Sequence, residues 1–420
     1  MHEQTIAIHA GYDKDTQGTM AVPIYQSTAY EFRDTEHAAD LFALKELGNI
    51  YTRLMNPTTD IFEKRFATLE GGVAAIGTAS GMAAIFYVIA NVAEAGDNII
   101  VAKQVYGGTT TLTGHTIKRF GIETRYFDVT DPLQIEELID EKTKLIIFES
   151  ITNPSIDVAD ISEIVAVANK YNILTCVDNT VATSVLCKPI AYGVDLVVHS
   201  TSKYTTGQGL ALGGIIVERE NLVEKIKDND RYYHFNEPDA SYHGLIYSDL
   251  PLPLFTLRVR LALLRDLGSA PSPFNSWLHI QGLEHLSLRM EQHSSSALMI
   301  AQFLEAHPKV KKVNYPGLKS SSQYHLIEKY FKNGMASGLL SFEVENKEEA
   351  QKVADATEIF SVVVNIGDSK SIITHPASTT HQQLSAQELI DAGVPGGLIR
   401  LSIGLENTQD LIDDLRKALD

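Results

Sequence analysis

At 420 residues the chain is long enough for two or three packed domains, each with its own core. Its 53 acidic residues outnumber 35 basic ones, and a formal net charge of −18 argues against a surface built for nucleic acid or for an anionic membrane. The longest apolar run, Met82 to Ala93, is too short for a membrane helix of about 20 residues, and MHEQTIAIHAGYDKD contains no basic segment leading into an apolar one.

The stretch 1–56 has few periodic segments and is expected to be an extended arm with loops. A helix should follow in NPTTDIFEKRFATLEGG, where Asn56 can cap, Pro57 suits the first turn and Gly71-Gly72 ends it. Short apolar strands then alternate with helices. The strands are expected at 75–80, 98–103, 145–150, 173–178, 195–200 and 212–218. Helices are expected at Met82–Ala93, Gly108–Phe120, Pro132–Ile139 and Ile161–Lys170. This pattern indicates a mostly parallel sheet covered by helices on both faces. Ligands of such sheets gather at the carboxyl ends of the strands, which places Ser80, Glu149, Asp178 and Ser200 on one rim. Cys176 and Cys187 fit neither CxxC nor zinc spacing, and read as reduced packing thiols of a cytoplasmic protein. After about residue 270 a long helix is expected at Leu283–Leu304, then strands at 338–344, 361–366 and 398–403 and a final helix capped by Asn407. The division is thus an arm (1–56), an α/β domain (57–270) and a smaller α+β domain (271–420).

Five segments carry chemistry. In VVHSTSKYTTGQGLALGG, Lys203 follows a buried strand, where desolvation favours the free amine needed for an imine; Ser200 and Ser202, two apart in an extended segment, offer hydroxyls to a phosphate. Asp178 ends ILTCVDN, where an acid can keep a pyridine nitrogen protonated. In GTASGMAAIF the first helical N–H groups around Ser80, Gly81 and Met82 form an anion site. Tyr51 and Arg53 of NIYTRLMNPT would face the same way in an extended stretch and clamp a phosphate. Arg400, on the strand of GLIRLSIG, can grip a carboxylate bidentately. Taken singly, each has a plain alternative: a surface lysine, a capping Asp, a common turn, a surface salt bridge, a solvated Arg.

Together, YTRxxNPT, ASGMAA, YGGT, ESxxNP, VDNTxAT, HSxSKY, GD…HPASTTH and RLSIGLE run the length of the chain in order. The chain resembles the transsulfuration (Cys/Met metabolism) family of pyridoxal 5'-phosphate (PLP) enzymes, which have the aspartate-aminotransferase-like fold (fold type I). Within the family it is most similar to the branch that acts on O-acetylhomoserine with a sulfur nucleophile. FNEPDASYHGLIY (235–247), Asn365 in VNIGD where γ-lyases and cystathionine enzymes usually carry Ser, and THQQL (380–384) point there. Gly108, where bacterial methionine γ-lyases carry Cys, points away from that activity. The alternatives within the family are a cystathionine γ-synthase and a methionine or cystathionine γ-lyase.

The resemblance implies that Lys203 forms the Schiff base and shuttles protons. It implies that Asp178 pairs with the pyridine nitrogen and that Tyr106 stacks on the ring and assists in proton transfer. Ser80, Gly81, Met82, Ser200 and Ser202 would hold the phosphate, joined by Tyr51 and Arg53 from a neighbouring subunit. Asn153, Arg400, Asn365 and Tyr51 would contact substrate. It further implies a homotetramer built as a dimer of dimers, with no metal. Sulfide, methanethiol, cysteine or sulfur from a carrier protein all fit as donor.

Overall fold

A computed structural model describes residues 1–379 and 394–420, so the THQQL marker lies outside the described residues. The larger sheet has seven strands: β1 (Ala74–Thr78), β2 (Asn98–Ala102), β3 (Glu123–Phe127), β4 (Thr143–Glu149), β5 (Leu174–Asp178), β6 (Leu196–His199) and β7 (Gly214–Glu218), in spatial order β1-β7-β6-β5-β4-β2-β3. β4 and β2 are buried along their whole length, as expected of strands covered on both faces. β3 has no apolar run to announce it. Its sequence, ETRYF, sits at the sheet edge, where one flank needs no burial.

The sheet is parallel except at β7, which is antiparallel to both β6 and β1. The connection from β6 crosses the rim as residues 200–213 without a helix, so the chain returns in the opposite direction. These residues form turns, where an extended Ser200–Ser202 segment was expected.

The second sheet joins β8 (Lys312–Asn314), β9 (Leu339–Glu343), β10 (Ser361–Val362), β11 (Ile372–Thr374) and β12 (Leu398–Ser402) in the order β10-β11-β12-β9-β8. The expected strand at 361–366 pairs only at Ser361 and Val362. Beyond them the backbone leaves the sheet, and Asn365 engages the lysine described below.

The helix Pro57–Glu70 begins as its sequence dictates. The Asn56 side chain accepts from the N–H groups of Thr58 and Thr59, and Gly71 ends the helix with φ 83°. The expected helix at 108–120 is instead a short turn of helix (Gly107–Thr111), a widened turn (Leu112–Thr116) and a tight one (Ile117–Phe120). The expected 132–139 helix shortens to Gln134–Leu138, and the long C-terminal helix starts at Leu286 after a separate helix, Pro273–Glu284. The arm, expected to be irregular, holds helices Glu3–His9 and Thr35–Phe42. One contiguous apolar core includes residues of both sheets.

Asp195, fully buried just before β6, fastens three elements. It accepts from the main chain and hydroxyl of Thr175 on β5, from Arg219 Nε at 2.8 Å and from Lys225 Nζ at 2.7 Å. Burial lowers the Lys225 ammonium, and Asp195 opposes that shift. Asp195→Ala would strand the Lys225 charge in the interior. The expected cost is about 3–5 kcal/mol, seen as a lower urea midpoint at unchanged slope. A loss below about 1 kcal/mol would mean that the cluster contributes little.

Candidate active site

The parallel strands end together, and the turns beyond them surround a cavity of about 220 Å³. Its lining includes Ser80, Gly81, Met82, Tyr106, Asn153, Asp178, Ser200, Ser202, Lys203, Asn365 and Arg400, eleven of the thirteen candidate residues. Tyr51 and Arg53 do not line it. They lie on a turn rather than in the extended stretch expected, with Leu54 N–H bonded to Tyr51 O at 2.9 Å. A larger groove of about 870 Å³, between residues 155–163 and 310–326, contains none of the thirteen.

At one end of the cavity the helix Gly81–Ala90 points its N-terminus inward. Ser80 caps it by accepting from Ala83 N–H at 3.1 Å. A Cβ on Gly81 would lie 2.7 Å from that of Ser200, so only glycine lets the helix reach the β6 turn. Ser200 Oγ and Ser202 Oγ stand 3.0 Å apart, bringing two hydroxyls to the same helix end even though the segment is a turn. Helix N–H groups and paired hydroxyls are a phosphate-binding set.

Asp178, the last residue of β5, accepts from the main chain of Thr180 at 3.0 Å and from its hydroxyl at 2.5 Å. Burial raises its carboxyl; the Thr180 bonds and the nearby His199 oppose the shift. Thr180 Oγ1 also accepts from Ser200 N–H at 2.8 Å, tying the ends of β5 and β6 together.

Lys203 sits in the turn after β6, its carbonyl accepting from Gly207 N–H at 2.9 Å. Arg289 donates to the carbonyls of Tyr204 at 2.6 Å and Thr205 at 3.0 Å and holds the turn from behind. Lys203 Nζ donates to Asn365 Oδ1 at 2.7 Å. Burial, and secondarily the charge of Arg400, lower its ammonium below the ordinary lysine value.

Arg400 on β12 donates to Asn153 Oδ1 at 2.9 Å, to Asn365 O at 3.1 Å and, at 3.5 Å, to Thr374 Oγ1. Among the described residues its buried Nε has no partner. Burial pulls its pKa down to about 10. A buried donor without an acceptor is costly, and an incoming carboxylate would satisfy it.

Sequence reasoning placed Glu149 on the rim without giving it a task. In the structure its two oxygens accept the N–H of Tyr106 at 2.6 Å and of Asn153 at 3.2 Å, fixing two residues that line the cavity. Burial, then the charge of Asp178, raise its acid well above the usual range. Thr180 was likewise passed over. ESxxNP and VDNTxAT contain both residues, but the bonds that tie the site together, from Tyr106 N–H to Glu149 and from Ser200 N–H to Thr180, span 43 and 20 positions of the chain.

The arrangement is that of a PLP enzyme of fold type I. An anion cradle and an acid line the cavity together with an amine that burial biases toward its neutral form, and with a guanidinium whose Nε has no partner among the described residues. These residues fit the cofactor. Residues 4–420 match the model of the Cys/Met metabolism PLP-dependent enzymes, and the chain belongs to that family. It is similar to an O-acetyl-L-homoserine sulfhydrylase of Leptospira meyeri, 45% identical over 99% of this chain and 96% of the relative. A homocysteine synthase of Schizosaccharomyces pombe is 43% identical over 100% and 98%. The crystal structure of a putative O-acetylhomoserine (thiol)-lyase from Campylobacter jejuni superposes with a TM-score of 0.98, at 52% identity and full coverage of both chains. It contains N'-pyridoxyl-lysine-5'-monophosphate at its position 205.

Because the Arg400 charge lowers Lys203, Arg400→Met should raise the lysine's pKa. Reductive methylation of Lys203 in cofactor-free protein, followed by peptide mass spectrometry over about pH 6 to 11, should show the midpoint moving upward. An unmoved midpoint would show the two groups to be uncoupled.

Proposed function

We propose that this protein carries out γ-replacement on O-acetyl-L-homoserine with a sulfur nucleophile, giving homocysteine or methionine and acetate, in methionine biosynthesis in the cytoplasm. The observation that carries this reading is Asn365: its side chain holds Lys203 and its carbonyl holds Arg400, so base and carboxylate clamp face one space. The names of the relatives supply the substrate class.

PLP, when bound, supplies an aldehyde for the substrate amine and a protonated ring that takes up charge from Cα. Asp178 keeps that ring nitrogen protonated, and Ser80, Gly81, Met82, Ser200 and Ser202 hold the phosphate. Arg400, braced by Asn153, grips the substrate carboxylate through its free Nε and one terminal nitrogen. Lys203 Nζ removes the Cα proton and then moves protons at Cβ while sulfur replaces acetate at Cγ. Tyr106 stacks over the ring and assists these transfers. Tyr51 and Arg53 belong to the arm 1–56 and complete the site of a neighbouring subunit in a dimer of dimers. The α/β domain (57–270) carries the cofactor, and the smaller domain (271–420) brings Arg400 and Asn365.

A methionine γ-lyase reading is disfavoured by local geometry. A Cβ at Gly108 would lie 2.5 Å from the Tyr106 ring, so this attitude of Tyr106 is incompatible with a cysteine there.

Purified enzyme with O-acetylhomoserine and sulfide should release acetate and homocysteine in equal amounts, and Lys203→Ala should lower the rate by roughly 10²–10⁴. 2-Oxobutyrate as the main product in the presence of sulfide would refute the replacement reading. Exchanging sulfide for methanethiol, or for a thiocarboxylated carrier protein, identifies the donor.

A further inference from the structure

Tyr51 and Arg53 stand outside their own subunit's cavity, yet the turn that bears them is firmly built. Tyr51 O accepts the N–H groups of Leu54 at 2.9 Å and Met55 at 3.1 Å, and Tyr51 bridges to Ala29. The Arg53 guanidinium lies 5.1 Å from the Tyr51 ring centroid, and among the described residues no carboxylate pairs with it.

What fixes the turn is a half-buried arginine held by a buried glutamate. Arg260 Nη1 donates to Leu54 O, and Arg260 Nη2 donates to Glu63 Oε2 at 2.6 Å. The other Glu63 oxygen accepts Gly77 N–H of β1 at 2.7 Å. A line of bonds thus runs from the central sheet through an ion pair to the turn. The side chains of Arg260 and Glu63 are 19% and 7% exposed. Arg260 lies in a widened helical stretch, Val259–Leu264, a departure from the α-helical repeat that is frequent at functional sites. An exposed, unpaired cation on an immobilised turn has lost its conformational freedom beforehand, which favours an anion that arrives from outside. Asp266 of the same chain feels the Arg53 charge but is already bonded by Arg265, and the subunit's own cavity does not include Arg53, which leaves the cation open to an anion of another molecule.

We propose that Arg260 and Glu63 are positioning residues that set the Tyr51–Arg53 turn for the cavity of a neighbouring copy of this chain, where Arg53 meets the cofactor phosphate. This rests on the reading of Tyr51 and Arg53 given above.

The test uses hybrid oligomers carrying two affinity tags, together with cofactor titration of the cofactor-free protein. Arg260→Met oligomers should lose about tenfold in affinity for PLP while their affinity for pyridoxal, which lacks the phosphate, stays close to that of the unaltered protein. A hybrid of Arg260→Met with Lys203→Ala subunits should regain about half of wild-type activity, because one site then combines an intact lysine with an intact turn. Glu63→Gln keeps the Gly77 acceptor and removes the ion pair, so it should show the same pattern; it decides the matter if Arg260→Met does not fold. Unchanged PLP affinity, or equal losses for PLP and pyridoxal, would overturn the proposal. A parallel hybrid of Arg53→Ala with Lys203→Ala separates the two levels. If it recovers while the Arg260 hybrid stays silent, Arg260 acts within its own subunit and only the positioning proposal fails. If neither recovers, the intersubunit reading itself is wrong.

Discussion

Two carboxylates and two cations share one small cavity, and the rest of the structure keeps them from neutralising one another directly. Glu149 is engaged by two main-chain N–H groups and Asp178 by Thr180. Lys203 donates to an amide oxygen, and Arg400 donates to an amide, a carbonyl and a hydroxyl. Among the described residues none of the four forms an ion pair with another. A direct bridge in so buried a place would hold both partners in one geometry and leave nothing for a ligand. Neutral mediators hold the charges in place without quenching them. The cost is visible in the shifts, since burial raises both acids and lowers both bases.

The opposite end of the same sheet shows the contrast. At the start of β6, Asp195 pairs directly with Arg219 and Lys225 and accepts from Thr175, so its charge is fully answered. One strand, four residues long, therefore separates a structural ion cluster from a cavity whose charges are held apart. Glu149 and Asp178 stand side by side because β4 and β5 are parallel and in register there. Burial and their repulsion together favour the protonated form of Glu149, whose acid is raised well above the usual range.

The rim was legible because it depends on local pattern: short apolar strands, each ending in a polar residue, put Ser80, Glu149, Asp178 and Ser200 on one side of the sheet. The helix Pro57–Glu70 was legible for the same reason, its cap and its stop lying within the segment itself. What escaped depends on distant partners. β3 is polar and becomes a strand only by pairing with β2. The reversal of β7 follows from a connection that carries no helix, and turn chemistry at 200–213 is ambiguous because its glycines permit many paths. The helix expected at 108–120 breaks up because TTTLTGHT is poor in helix formers, a weakness that apolar periodicity does not register. Glu149, Thr180 and Arg260 act on main-chain groups far away in the chain, and no spacing rule finds such contacts.

Asn365 gives the arrangement a direction. Arg400 lowers Lys203 through its charge, and the two are joined through one residue that accepts from both. In the proposed reaction a substrate carboxylate at Arg400 neutralises that charge. The lysine amine is then a stronger base than it would be beside an unanswered Arg400 charge. The sign follows from Coulomb's law alone: removing a neighbouring positive charge stabilises the protonated amine and so increases its pull on the Cα proton. Coupling of this kind requires that Lys203 and Arg400 be close but unpaired with acids, which is the condition that the mediating amides and hydroxyls maintain.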